Sequence, residues 1–318
     1  MANAKIVAAI EKAASSSRSW LKLNNRGLTE VPTELCSLVH LQRLEMHENQ
    51  LTELPACFTQ LAELQELDLS GNRLTSLALL SELEELRVLQ LNVNQIDRLT
   101  PEISRLAKLE RLDLTANPLD SLPPEIGQLS ALKELHISHT GITELPGEIG
   151  ELTNLESLYL SDCSLGELPE ALRPLKNLEV LFLSGCGLTG LPAWISELPE
   201  LKVLNLTGND LPSLPPAIFE IDTLEAVFLD RNQRLGRIDL PQGAWSNLRH
   251  LEAKDCGLRS VPESLFALPQ LAHIYLAGNP GLPRFELPEG AFPNLIALET
   301  DHLELYKDSS GDWRRIRK

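Results

Sequence analysis

The sequence predicts an α/β solenoid. Short parallel strands stack along one side, and short helical, 3-10 or extended segments return the chain along the other. Three observations carry this. An eleven-residue pattern, L-x-x-L-x-L-x-x-N-x-L, recurs from Leu41 with starts 22 to 24 residues apart, at Leu64, Leu86, Leu109, Leu132, Leu155, Leu178, Leu201, Leu224, Leu248, Leu271 and Leu295. Its L-x-L centre alternates with period two, as a half-buried strand does. Its second half carries Leu-Pro pairs at Pro55, Pro123, Pro146, Pro169, Pro192 and Pro215, which fix φ and discourage a long helix. One such unit cannot bury its leucines, whereas stacked units bury a continuous column.

The elements follow in order. Residues 1–19 read as a helical cap over the open end of the core, with Ile6, Ile10 and Ala13 on one face and Lys5, Glu11 and Lys12 around them. Residues 20–305 form the array of about 12–13 repeats, from a partial unit at Trp20 to a degenerate one at Leu295. Residues 306–318 form a second cap or a tail, in which Tyr306 and Trp313 are the candidates to cover the last unit. Phe58, Ile126, Ile149, Ile195, Trp245 and Phe292 recur in the return segments as core plugs, and Trp194 is expected on the exposed outer side. After each strand stands Asn49, Asn72, Asn94, Asn117, Asn209, Asn232 or Asn279, replaced in other units by Thr140, Cys163, Cys186 and Cys256. An amide there supplies both a donor and an acceptor to turn groups that would otherwise be orphaned.

These in-register units, from Trp20 to Leu305, resemble the leucine-rich repeat family. They are most similar to its 23-residue intracellular types in bacterial arrays, including the Roco-type GTPases, and to the plant Ras-group arrays. The resemblance implies a horseshoe with a concave parallel sheet and ladder asparagines that turn inwards. It implies a non-enzymatic module that binds a protein or peptide on the concave face. Two alternatives stay open. The array is the targeting part of a larger GTPase, kinase or ubiquitin ligase, or it senses a small ligand or glycan on its rings.

Against this periodicity one motif loses its force. Gly185-Cys186-Gly187-Leu188-Thr189-Gly190 fits the dinucleotide fingerprint G-x-G-x-x-G. It is one rung among many, and Leu191-Pro192 follows it where a helix should open. No cofactor is expected. Cys163 and Cys186, with His136 and His139 a unit earlier, are read as buried ladder residues and not as nucleophiles. His250 and His273 with Glu252 are read as a solvated group, with no metal site.

Composition narrows the partner. The chain has 45 acidic and 28 basic residues, a net charge of −17. Such a chain repels phosphate backbones and anionic membranes and attracts a basic protein surface. Five cysteines at wide spacing, with no C-x-x-C, predict no disulfide framework and a reducing compartment. The first residues lack the apolar run of a signal peptide, so the expected location is cytoplasmic, or a host cytosol reached without such a signal. Oligomeric state is left open.

Strand alternation points the x positions outward. The early units then show a polar, mostly acidic face with Glu45, Asp68 and Asp113, expected to steer association. From there the middle column reads His136, Tyr159, Phe182, Asn205, Phe228, Glu252 and Tyr275, with Val180 and Val203 alongside. Only 4% of the chain is aromatic, so rings gathered on one exposed column mark an expected partner site.

Overall fold

The computed structural model describes residues 2–16, 18–283, 292–307 and 313–316. The chain divides into two compact units, 1–158 and 159–318. The first opens with helix α1 (Ala2–Ser16), which packs on β1 (Trp20–Lys22) and on the first return segment. Ile6, Ile10 and Ala13 are all buried, the stripe that the spacing predicts. The side chain of Lys5 lies outside the described residues. Strands β2 (Arg43–Glu45), β3 (Glu66–Asp68), β4 (Val88–Gln90), β5 (Arg111–Asp113) and β6 (Glu134–His136) follow. Each pairs parallel with the next, with equivalent leucines opposite one another: Leu21 to Leu44, Leu44 to Leu67, Leu67 to Leu89.

Strand β7 (Ser157–Tyr159) lies at the division. The second unit continues with β8 (Val180–Phe182), β9 (Val203–Asn205), β10 (Ala226–Phe228), β11 (His250–Glu252), β12 (His273–Tyr275) and β13 (Ala297–Glu299), again parallel and in register. Two antiparallel strands, β14 (Glu304–Lys307) and β15 (Trp313–Ile316), end the order. Tyr306 is 39% exposed, so it does not seal the core as expected, and the side chain of Trp313 lies outside the described residues. No helix of the described residues is long and apolar enough to cross a membrane.

The return segments are mostly single 3-10 turns, and proline sets where they begin. Pro123 (φ −72°, ψ 151°) is extended and precedes the turn Pro124–Gln128. The turn ends when Leu129 N–H bonds the Ile126 carbonyl at 3.1 Å. Pro146, Pro192 and Pro215 act alike before Gly147–Glu151, Ala193–Glu197 and Pro216–Glu220. The plugs Phe58, Ile126, Ile149, Ile195 and Trp245 are fully buried and Phe292 nearly so. Trp194 departs from its expected exposure: it is 6% exposed, and its buried Nε1 has no hydrogen-bond partner. In a turn of five residues, adjacent side chains can both face the core.

The cysteine expectation also needs correction. Cys36 and Cys57, in the turns Thr33–Ser37 and Ala56–Gln60, are joined by a disulfide with Cα atoms 5.7 Å apart. Stacking places consecutive turns side by side, so wide spacing in sequence becomes contact in space. This removes the support that cysteine usage gave to a reducing compartment.

The ladder is formed as expected. Asn49 Oδ1 accepts from Arg26 N (2.9 Å) and Leu28 N (3.1 Å), and its Nδ2 donates to the carbonyls of Leu23 (3.0 Å) and Met46 (2.8 Å). Thr140 Oγ1 donates to the Ile137 carbonyl at 2.8 Å. Cys186 and Cys256 send their thiols to Leu160 and Leu229 carbonyls, both at 3.1 Å. Burial pushes both thiols up to about 12, so neither forms a nucleophilic thiolate near neutral pH.

The residue before each ladder position adopts left-handed backbone. Glycine fills it at Gly71, Gly185, Gly208 and Gly278, but Val93 holds φ +59°. For a β-branched residue this conformation costs about 1–2 kcal/mol. The Val93 side chain is 55% exposed and contributes little packing. Val93→Asn is expected to raise stability by about 1 kcal/mol, and Val93→Gly by less, because glycine also frees the unfolded chain. Urea midpoints measure this, and a lowered midpoint for Val93→Asn would contradict it.

Candidate functional site

In the second unit each strand from β8 to β12 buries its central leucine, valine or isoleucine and leaves its two flanking side chains half-buried on the sheet face. Register then fixes two columns. One runs Phe182, Asn205, Phe228, Glu252, Tyr275; the other runs Val180, Val203, Ala226, His250, His273. Tyr159 and Phe182 meet with ring centroids 4.9 Å apart and planes tilted by 34°. Asn205 interrupts the rings, and its Oδ1 accepts from Ser184 Oγ (2.9 Å) and Thr207 N (3.0 Å).

Beyond Asn205 a second ring group forms across both columns. His250 lies 5.0 Å from Phe228 and 5.5 Å from both His273 and Tyr275, centroid to centroid. Lys254 Nζ stands 4.6 Å above the Tyr275 ring, a cation–π arrangement. The expectation of a solvated histidine group misses this: His250 is the ring that links Phe228 to Tyr275. Among the described residues no group of three or more ligating side chains could hold a metal ion.

Charge is concentrated beside these rings. His250 Nε2 is 2.7 Å from Glu252 Oε1, and Asp230 Oδ1 accepts the Lys254 backbone N–H at 2.8 Å. Burial, joined by the nearby Glu252 carboxylate, raises the Asp230 carboxyl above the usual aspartate range despite that bond. Burial and the His250 charge lower His273 below the ordinary histidine value. The neutral imidazole is therefore its form at pH 7.

The first unit's sheet face is less openly acidic than its sequence suggests. Glu45 is 8% exposed, enclosed by Lys22 (3.0 Å), Arg43 (2.9 Å) and the Asn24 amide (3.0 Å). Burial by itself raises the Glu45 carboxyl. Hydrogen bonds from Lys22 and Asn24 and the charges of Lys22 and Arg43 outweigh it and hold the group below the usual range. The steering role expected of Glu45 fails on this geometry, because a paired, covered carboxylate projects little field. Asp68 is turned back onto Ser70, taking its N–H (2.9 Å) and Oγ–H (2.6 Å), and Asp113 takes the Thr115 N–H (2.9 Å). Both remain half-buried on the face. His136 is also half-buried, 3.6 Å from Glu134, which Arg111 holds at 2.6 Å.

Sequence reasoning placed Tyr159, Phe182, Phe228, Tyr275, Val180, Val203 and Asn205 on one face of the second unit, and there they stand. It missed Asp230, and it did not see that Glu252 and His250 work with the rings. The available signal was register. Asp230 lies two residues beyond Phe228, and Glu252 is the partner of Phe228 on the next strand.

Comparison with known proteins agrees with this architecture. Family models match residues 19–74 (leucine rich repeat), 68–159 (leucine-rich repeat region), 154–175 (leucine rich repeat) and 176–216 (leucine rich repeats, 2 copies). No curated protein matches the chain. Among solved structures, a leucine-rich repeat protein of Leptospira interrogans is 30% identical, with a TM-score of 0.77, covering 88% of this chain and 77% of that one. The Arabidopsis receptor kinase HAESA, solved with the peptide hormone IDA and the co-receptor SERK1, is 26% identical with a TM-score of 0.69. The match covers 83% of this chain and 46% of the HAESA chain in that structure. Listeria monocytogenes InlJ, at 19% identity and a TM-score of 0.61, covering 90% of this chain and 68% of that one, shares the fold. The repeat period, the asparagine ladder and a 30% identical relative over most of both chains agree: the chain belongs to the leucine-rich repeat family.

Proposed function

We propose that this protein is a non-catalytic interaction module. It holds a peptide or an extended protein segment on the sheet face of its second unit. The observation that carries the reading is the pair of ring groups, Tyr159 with Phe182 and Phe228 with His250 and Tyr275, on a half-buried face lined by Val180 and Val203. Rigid aromatic side chains backed by strands lose little entropy on binding and supply large apolar area. HAESA, which resembles this chain in fold, was solved with a peptide hormone bound, and this supports a peptide or protein as the ligand class. The Asp230 and Glu252 carboxyls beside Phe228 favour a segment carrying lysine or arginine next to its apolar anchor.

Affinity capture with the full chain, read by mass spectrometry, supplies a partner. Binding kinetics then compare wild type with Tyr159→Ala, Phe182→Ala, Phe228→Ala and the triple variant. Each central ring is expected to contribute over about 2 kcal/mol, well over tenfold in affinity. Folding survives, because these side chains point away from the leucine core. Unchanged affinity across the set, with native circular dichroism, would refute the reading.

A further inference from the structure

The second unit holds a basic cavity that the sheet-face reading does not use. It has a volume of about 600 Å³, and its lining includes Arg234, Arg237 and Arg259, with Gln233 and Ser260, and no carboxylate. In a chain with 45 acidic and 28 basic residues, three guanidiniums gather around one opening, two of them paired with Asp210 and Asp239 and one, Arg259, a surplus positive charge. The local sequence explains the opening. Most units read N-x-L after the strand, but this one reads Asn232-Gln233-Arg234-Leu235, one residue longer. Asn232 still fills the ladder and is fully buried. The extra residue therefore bulges outward, through a turn closed by Leu235 N–H on the Asn232 carbonyl at 2.9 Å, and Gly236 takes φ +68°. On the next rung Gly257 comes so close that an added Cβ would meet the Gln233 carbonyl oxygen. The two turns pack backbone to backbone, and the arginines rim the space beside them.

The arginines are available. Arg234 pairs with Asp210 at 2.9 Å and Arg237 with Asp239 at 2.9 Å, and all four side chains are more than half exposed. Such pairs are weak and exchange readily. Arg259 is exposed, and among the described residues its guanidinium makes no ion pair; its backbone N–H bonds the Gly236 carbonyl at 3.0 Å. Guanidinium forks match tetrahedral oxyanions in two-point contact, which ammonium groups cannot do. The Ser260 hydroxyl and the Gln233 amide add neutral donors. We propose that this cavity binds the phosphoryl or sulfuryl group of a small ligand. A nucleic acid is disfavoured by the net charge of −17.

The test titrates the full chain by calorimetry with inorganic phosphate, inorganic sulfate and free phosphoserine, at ionic strength held constant with chloride. Saturable binding of phosphate is expected. Arg259→Ala should weaken it about tenfold or more, the usual loss for one charge-assisted hydrogen bond, and Arg259→Lys should restore only part. Arg173→Ala, which removes an arginine paired with Glu197 elsewhere in the unit, should leave it unchanged. Sulfate binding as tightly as phosphate would show that oxyanion shape is read, and tighter phosphoserine binding would show that the carrier is read too. Absence of saturable binding by all three, or equal losses in Arg259→Ala and Arg173→Ala, would overturn the proposal. Circular dichroism confirms that these surface variants fold.

Discussion

Asn209→Ala is expected to lower the unfolding free energy by about 2–4 kcal/mol, and Cys186→Ala, one rung earlier, by about 1 kcal/mol. The two side chains hold equivalent places in consecutive repeats, so the comparison isolates the chemistry of the ladder group. Asn209 is 6% exposed. It donates to the carbonyls of Leu183 and Leu206, both at 2.8 Å, and accepts the Leu188 N–H at 2.9 Å. Alanine leaves the Leu183 carbonyl and the Leu188 N–H unpaired, at roughly 1–3 kcal/mol for each, while the Leu206 carbonyl keeps the Asn232 amide at 2.9 Å. Cys186 offers its thiol to the Leu160 carbonyl at 3.1 Å, a weak donor whose loss costs little beyond a small void. Urea denaturation followed by circular dichroism gives both midpoints. Equal shifts, or a larger one for the cysteine, would show that the amide is not what ties the rungs together.

Trp245→Ala is expected to cost more, about 3–5 kcal/mol. The indole is fully buried, lies 5.0 Å from Phe219 ring to ring, and donates its Nε1–H to the Ile218 carbonyl at 2.9 Å. Alanine removes the packing, leaves a cavity and takes away the shorter of that carbonyl's two bonds, leaving the Ile221 N–H at 3.4 Å. The backbone at residue 245 has φ +54°, which alanine tolerates no better, so no relief of strain offsets the loss. Trp245→Phe keeps much of the volume and loses the hydrogen bond, and it should fall between wild type and alanine. Circular dichroism is the suitable probe, because the substitution removes a fluorophore. A shift under about 1 kcal/mol for Trp245→Ala would mean that the site collapses freely and that Trp245 is no plug.

The sheet-face residues differed in how legible they were. Tyr159, Phe182 and Phe228 were readable because two local facts place them: alternation along a strand, and a repeat period that becomes strand register. Pairings such as Phe182 with Asn205 and Asn205 with Phe228 follow from counting. The ring of His250 against Phe228 and the proximity of Asp230 to Glu252 were not readable. They are diagonal contacts between columns, and rotamers decide them. Glu45 was misread for a related reason. Its outward position is right, but Lys22, Asn24 and Arg43 fold over it.

By itself the sequence determined the repeat, the strand positions, the inward asparagines and the stacking plugs. Each of these depends only on a residue's place within its own unit and on the unit beside it, and nearest-neighbour stacking repeats that environment along the chain. The tertiary structure alone decided which side chains meet where the repeat is broken or bends inward. It joined Cys36 to Cys57, turned Trp194 into the core, and opened the arginine-lined cavity where one extra residue lengthens a turn. Those outcomes depend on distances between side chains on adjacent turns. A periodic pattern fixes which positions are neighbours, but packing fixes which of their atoms touch.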